Sequence, residues 1–124
     1  MSNSAKKDKA IEMVELSNKE AQVAIDMRDS LIALQNNKHF KKVINEGYLL
    51  QEAANKARSL ASPALQDENT QREIMHALQG IGHLSQYFSV IYQKGNMAEN
   101  AVNANNKWRE EVEAGEVDLD EMEL

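Results

Sequence analysis

The sequence predicts an all-α protein: a small helical bundle of about four helices, with a long N-terminal helix and an acidic, flexible C-terminal tail. The 124 residues include one proline and five glycines. Apolar residues recur at three- and four-residue steps, which is the spacing of one helix face. The length is that of one domain. We therefore place a single helical domain at residues 1–112 and an acidic tail at residues 113–124.

The first predicted helix runs from about Ala5 to Gln35 and ends at Asn36-Asn37. Its expected core stripe is Met13, Leu16, Val23, Met27, Leu31 and Leu34, widened by Val14, Ile25 and Ile32. A helix of ~30 residues is ~45 Å long, whereas a compact domain of this size has a radius of gyration of ~14 Å. We therefore expect either a bent helix or a second copy or partner that covers the overhang, and we favour a homo-oligomer.

The second predicted helix begins near His39 and ends at Ser62-Pro63, because the residue before a proline is pushed out of the α region. Its apolar residues are Phe40, Val43, Ile44, Leu50, Ala54, Ala57 and Leu60. Gly47 falls on the same stripe. It either allows a neighbouring helix to approach closely or divides the helix in two, and the sequence leaves both alternatives open.

The third and fourth predicted helices meet at Gly95. Residues 70–73, Thr-Gln-Arg-Glu, match a capping box at the start of the third helix. Its expected core residues are Ile74, Leu78, Ile81, Leu84, Ser85, Phe88, Ile91 and Tyr92. Gly95 is expected to end this helix in a left-handed conformation. The fourth helix would start near Asn96 and present Met97, Ala101, Ala104, Trp108 and Val112 on one side.

We find no residue pattern of a catalytic, cofactor or metal site, so we predict that the protein is not an enzyme and has no cofactor. The chain has no cysteine. Glu73 and His76 resemble half of a di-iron motif, but no second such unit occurs. His76 and His83 are two helical turns apart, ~10.5 Å, which is too far to share a metal ion.

The acidic residues concentrate at the C-terminal end. Of 20 acids, eight lie in residues 110–124; the other twelve and all 14 bases lie in residues 1–109, which carry a charge of +2. Apolar residues alternate with the acids of the tail, which suits docking into a basic groove of a partner, while the alternative is a solubilising terminus. The candidate partner-binding residues are Glu116, Asp118, Leu119, Asp120, Met122 and Leu124.

Lys38, Lys41 and Lys42 are the candidate phosphate contacts. A net charge of −6 disfavours binding to nucleic acid, so protein partners are the main expectation. Apolar runs are only a few residues long, far below the ~20 that span a bilayer, and the first ten residues do not resemble a secretory signal. We therefore expect a cytoplasmic protein that does not contact a membrane.

Residues 40–101 carry a family resemblance. The matching features are the Phe40, Gly47 and Tyr48 opening, residues 60–63 (Leu-Ala-Ser-Pro), the segment from Ile81 to Phe88, and Gly95 with Met97, Ala98 and Glu99. They resemble small uncharacterised all-helical accessory proteins of tailed double-stranded DNA bacteriophages. The resemblance implies an accessory role in the host cytoplasm or on the virion, and it transfers no functional residue.

Three functions agree with these features. The leading expectation is a non-enzymatic phage accessory protein that acts through protein–protein contacts in virion assembly or DNA packaging. The first alternative is an inhibitor or adaptor that binds a host nucleic-acid-processing protein through the acidic tail. The second is a DNA-binding packaging subunit that uses the three lysines.

Overall fold

The structure is a computed structural model that describes residues 3–119, and its regular elements there are all helical. The helices are α1 (Asn3–Gln35), α2 (three consecutive parts, Lys38–Phe40, Lys41–Glu52 and Ala53–Ala61) and α3 (Glu68–Glu113), with a 3-10 turn at Pro63–Leu65. The all-α class and the long N-terminal helix are confirmed. The expected number of helices is wrong, because the described residues form three helices and not four.

The chain divides into two compact units. Unit 1 contains residues 1–29 and 93–124, and unit 2 contains residues 30–92. Helices α1 and α3 therefore each contribute residues to both units, whereas α2 belongs to unit 2 alone.

In unit 1, α1 and α3 pair in antiparallel register. Low residue numbers on α1 pair with high ones on α3: Lys7 Nζ donates to the Glu113 carbonyl (3.0 Å), Arg109 to Glu15 (3.2 Å), Asn18 to Asn106 (2.9 Å) and Arg28 to Glu99 (2.9 Å). The side chains buried in this pair are mostly small or polar: Ala10, Val14, Arg28 and Val112. Small residues let two helix backbones approach closely. The packing of unit 1 therefore depends on close contact between the backbones of α1 and α3 rather than on bulky apolar side chains.

The core stripe expected on α1 is largely wrong. Leu31 and Val14 are buried and Ile25 is half-buried, but the other six residues are exposed: Met13, Leu16, Val23, Met27, Ile32 and Leu34. In unit 1 the reason is that α3 packs against the face of α1 that holds Ala10 and Val14. That contact rotates the bulkier apolar residues Met13, Leu16, Val23 and Met27 away from α3.

Gly95 does not end a helix, because α3 continues through it to Glu113. Its φ angle is not positive. A Cβ atom built on Gly95 would lie 2.3 Å from the Cβ atom of Arg28, so a glycine is required where α3 lies against Arg28 of α1. The sequence signal for a helix end was a signal for a close helix contact.

The face expected on the fourth helix is also rotated. Met97 is 70 % exposed, Ala101 and Ala104 are exposed, Trp108 is half-buried, and only Val112 is buried. Because this segment continues α3, its orientation about the helix axis is set by the contact of Gly95 with Arg28.

The middle part of α2, Lys41–Glu52, is π-helical, and the backbone stays helical at both junctions. Gly47 therefore does not divide the helix. A Cβ atom on Gly47 would lie 3.1 Å from the Lys42 carbonyl oxygen, so the glycine fits the wider turn of the π-helix. The wider turn also changes which side chains share a face, and for this reason Val43 and Leu50 are exposed although they fit a 3.6-residue period.

The connection between α2 and α3 is held by two glutamine side chains. Ser62 is extended ahead of Pro63, as expected. The side-chain amide of Gln66 donates to the carbonyls of Leu60 and Ser62, and that of Gln71 donates to Leu60 and Leu65. These bonds satisfy carbonyl groups that a helix end leaves without a backbone donor.

The start of α3 lies before the predicted capping box. Asp67 Oδ2 accepts from the backbone N–H of Thr70 (3.0 Å) and from its hydroxyl group (2.8 Å). Thr70 is therefore a donor to the cap rather than the cap itself. Asp67 is a better capping residue than Thr70 because its carboxylate can accept both hydrogen bonds. Its negative charge is also favourable at a helix N-terminus.

The Asp67 cap gives a pH-dependent prediction. Hydrogen bonds from Thr70 lower the pKa of Asp67 below its ordinary value of 3.8. The stabilisation is therefore present above that value and is lost as the pH falls through the lowered pKa. We expect Asp67→Ala to lower the melting temperature at pH 7, with the difference from the wild type vanishing under strongly acidic conditions. Thermal melts at several pH values measure this, and a pH-independent difference would contradict it; Asn69→Ala, at an exposed neighbour, is the control.

The core of unit 2 follows the sequence pattern of the predicted third helix. Ile74, Ile81 and Ile91 are buried on α3, and Leu31 is buried on α1. Leu78, Leu84, Phe88 and Tyr92 are half-buried, and only Ser85 of the expected core set is exposed. The Phe88 ring lies 6.0 Å from that of Phe40 on α2, and the Tyr92 hydroxyl donates to Gln35 Oε1.

Candidate interaction surfaces

An exposed apolar stripe runs along α1 within unit 1. It consists of Met13 (52 % exposed), Leu16 (60 %), Val23 (70 %) and Met27 (51 %), and we call it the α1 stripe. With the exposed Glu20, these positions follow alternating steps of three and four residues. Sustained steps of three and four are the spacing of a coiled-coil seam. The α1 stripe therefore combines apolar exposure with the spacing of a coiled-coil seam.

Charged residues line one edge of the α1 stripe. Glu12, Lys19 and Asp26 follow one another at seven-residue intervals, and all three are exposed. Lys19 makes no ion pair within residues 3–119, and Asp26 accepts a hydrogen bond from Gln22 (2.8 Å). In coiled coils, residues at this edge position select the partner and its orientation.

The buried charge of Arg28 belongs to the internal contact of unit 1. Its guanidinium group donates to Asn96 (3.0 Å), Glu99 (2.9 Å) and Asp29 (3.1 Å). The hydrogen bond to Glu99 raises the pKa of Arg28, so the group stays charged. With four side-chain hydrogen bonds and its aliphatic stem against Gly95, Arg28 is a structural residue rather than a binding site.

The start of the acidic tail folds back on unit 1. Gly115, with a φ angle of 75°, ends α3, and the N–H of Glu116 donates to the Glu111 carbonyl while that of Gly115 donates to Val112, which is a Schellman motif. Leu119 is then buried against Ala10 and Val112, with Val117 and Trp108 packed around them.

The candidate residues of the tail therefore separate into two groups. Leu119 packs against its own chain, while Glu116 and Asp118 are exposed beside it. Lys7 and residues 115–119 line a cavity of about 430 Å³. Asp120, Met122 and Leu124 lie outside the described residues.

Docking of Leu119 can be tested with the single tryptophan, Trp108. We expect Leu119→Ala to shift the Trp108 fluorescence to longer wavelength, because the substitution admits water to the cluster, and to lower stability by about 2 kcal/mol. Glu116→Gln, at an exposed position, is the control. An unchanged spectrum in the Leu119 variant would contradict the docked position of the tail.

The three candidate lysines lie together at the start of α2. The Asn37 side chain caps this helix by accepting hydrogen bonds from the backbone N–H groups of His39 and Phe40. Lys38, Lys41 and Lys42 follow Asn37 in the chain, and all three are exposed. Their side chains are therefore accessible to a ligand.

Within residues 3–119, no three His, Asp or Glu side chains are grouped to hold a metal ion. In the same part of the chain, no helix has the length and apolarity to cross a membrane.

The sequence shows the apolar spacing of the α1 stripe but not that these side chains are exposed. The spacing of Met13, Leu16, Val23 and Met27 predicts one helix face, yet apolar residues at helical spacing are usually core residues. The sequence alone does not distinguish Lys19 and Asp26 from other surface charges, because charges beside an apolar stripe are informative only when the stripe is known to be exposed.

Comparisons with known proteins give no relative on which to base a function. No protein-family model, no curated protein and no solved structure matches this chain.

Proposed function

We propose that the protein is a non-enzymatic phage accessory protein that acts through protein–protein contacts in virion assembly or DNA packaging. The observation that carries the proposal of protein binding is the α1 stripe, where four bulky apolar side chains are half or more exposed. The assignment to phage assembly rests on the resemblance of residues 40–101.

The energetics of the α1 stripe support binding. Each of its side chains would contribute on the order of 1 kcal/mol if a partner covered its exposed part, since full burial is worth ~1.5–3 kcal/mol. Contiguous apolar patches on monomeric proteins are usually small, and larger ones mark interaction sites. A surface with coiled-coil spacing fits a helical partner in particular.

The tail supports a second candidate, an inhibitor or adaptor of a host nucleic-acid-processing protein. Glu116 and Asp118 are exposed beside the docked Leu119, so part of the tail is held in place with its acids outward. A fixed, exposed acid such as Glu116 can bind a basic groove, and such binding weakens as salt is added.

The test is affinity capture from phage-infected bacterial lysate with the full chain and with Val23→Lys. Val23 is 70 % exposed, so the lysine should leave the fold intact, and Asn103→Lys, at an exposed position of α3 away from the stripe, is the matched control. We expect phage structural proteins to bind the wild type and the control but not Val23→Lys.

Three results would redirect the assignment. Equal capture by Val23→Lys would remove the α1 stripe from the function. A single host enzyme released by salt and by Glu116→Gln with Asp118→Asn would favour the inhibitor. DNA retained through Lys38, Lys41 and Lys42 would favour the packaging subunit.

A further inference from the structure

We infer that the α1 stripe binds a second copy of this chain, with the two α1 helices antiparallel and in one register. In this register Leu16 meets Met27 of the second copy, and Lys19 forms an ion pair with Asp26 of the second copy. The inference rests on the proposed function, since it names the occupant of the same surface.

The edge charges select the antiparallel orientation. In a parallel pair, Glu20 would face Glu20 of the second copy inside the seam, and like charges there are unfavourable. In the antiparallel pair, Glu20 faces Val23 of the second copy instead. Lys19 and Asp26 then come together, and two-fold symmetry creates this ion pair twice.

The same charges select one register. Moving the second copy by seven residues in one direction places Lys19 against Lys19 and Glu12 against Asp26. Moving it by seven residues in the other direction places Asp26 against Asp26. Of these three registers, only the one with Lys19 against Asp26 brings opposite charges together. A helix whose edge charges complement themselves in one arrangement fits a second copy of itself.

The exposure of the residues agrees with this arrangement. Lys19 has no ion-pair partner within residues 3–119, and its side chain is exposed at the edge of the stripe. The other face of α1 in unit 1 is already occupied by α3. A second copy can therefore bind α1 without disturbing the internal contact.

The first experiment is sedimentation equilibrium of the full chain with charge-reversal variants. We expect a monomer–dimer equilibrium that Val23→Lys abolishes and that Asn103→Lys, at an exposed position of α3, leaves unchanged. Lys19→Asp and Asp26→Lys should each weaken dimerisation about 10-fold, because two attractive pairs become repulsive. The double variant, Lys19→Asp with Asp26→Lys, should recover the wild-type dissociation constant to within about threefold, since both pairs are restored with reversed polarity.

Disulfide cross-linking tests orientation, because the natural chain has no cysteine. A mixture of Leu16→Cys and Met27→Cys chains should form a disulfide between the two variants. Leu16→Cys alone should not, because the two Leu16 positions are eleven residues apart along the antiparallel pair, ~16 Å, beyond disulfide reach. Efficient cross-linking of Leu16→Cys with itself would overturn the antiparallel orientation.

Two further results would overturn the inference. A strict monomer at all concentrations would exclude binding of a second copy. If Val23→Lys nevertheless captured fewer proteins from the lysate than the wild type, the proposed function would stand, with another protein bound to the α1 stripe. A dimer that the double charge variant failed to restore would exclude the proposed register. If the chain dimerised as described but Val23→Lys captured other proteins as well as the wild type does, the inference would stand and the proposed function would fail.

Discussion

Gly95→Ala is expected to destabilise the protein by about 2–3 kcal/mol, a fall of about 10 °C in melting temperature. The new Cβ atom would lie 2.3 Å from the Cβ atom of Arg28. Both atoms are attached directly to the backbone, so no side-chain rotation can separate them, and the two helices must move apart. Chemical denaturation monitored by circular dichroism measures the effect.

Gly82→Ala is the matched control. No atom outside its own helix lies within 4 Å of a Cβ built on Gly82, and alanine forms helix more readily than glycine. This variant should gain about 0.5–1 kcal/mol. Opposite signs for two glycines of one helix would identify the cause as the contact with Arg28.

A double variant isolates that cause. Arg28→Gly removes the three side-chain atoms nearest the new methyl group. Gly95→Ala should therefore cost much less in the Arg28→Gly background than in the wild type. Equal cost in both backgrounds would show that the close approach of α1 and α3 is not what requires the glycine.

Ile81→Ala is expected to produce the second large effect, a loss of about 3–4 kcal/mol. Ile81 is 5 % exposed, so the substitution removes buried apolar surface and leaves a cavity in unit 2. Met75→Ala on the same helix is the control, because Met75 is 46 % exposed and should lose less than 1 kcal/mol. Comparable losses in the two denaturation curves would contradict the assignment of the buried face of α3.

Some elements could be predicted from the sequence because their signals are local. Asn36-Asn37 and Ser62-Pro63 mark helix ends through their own backbone preferences, and the structure has both ends at these places. The isoleucines of α3 repeat at helical spacing and are buried. Local signals of this kind do not depend on how helices meet.

Other elements could not be predicted because they depend on contacts between distant residues. From the sequence alone Gly95 predicts a helix end, because its contact with Arg28 is seen only in the structure. The α1 stripe resembles a core stripe in the sequence, because only the structure shows that Ala10 packs against Val112 of α3 instead. The helix start predicted at Thr70 is wrong because Asp67, three residues earlier, accepts two hydrogen bonds from that threonine.

The register of unit 1 also constrains the order in which the chain can fold. Lys7 and Glu113 are bonded although 106 positions separate them, and Arg109 and Glu15 are separated by 94. On the ribosome, residues 3–29 must therefore wait, with Ala10 and Val14 uncovered, until residues 93–119 have been synthesised. Contacts of such sequence separation form slowly because a long loop must close first. The helix that carries the exposed α1 stripe thus also spends the longest time without its internal partner.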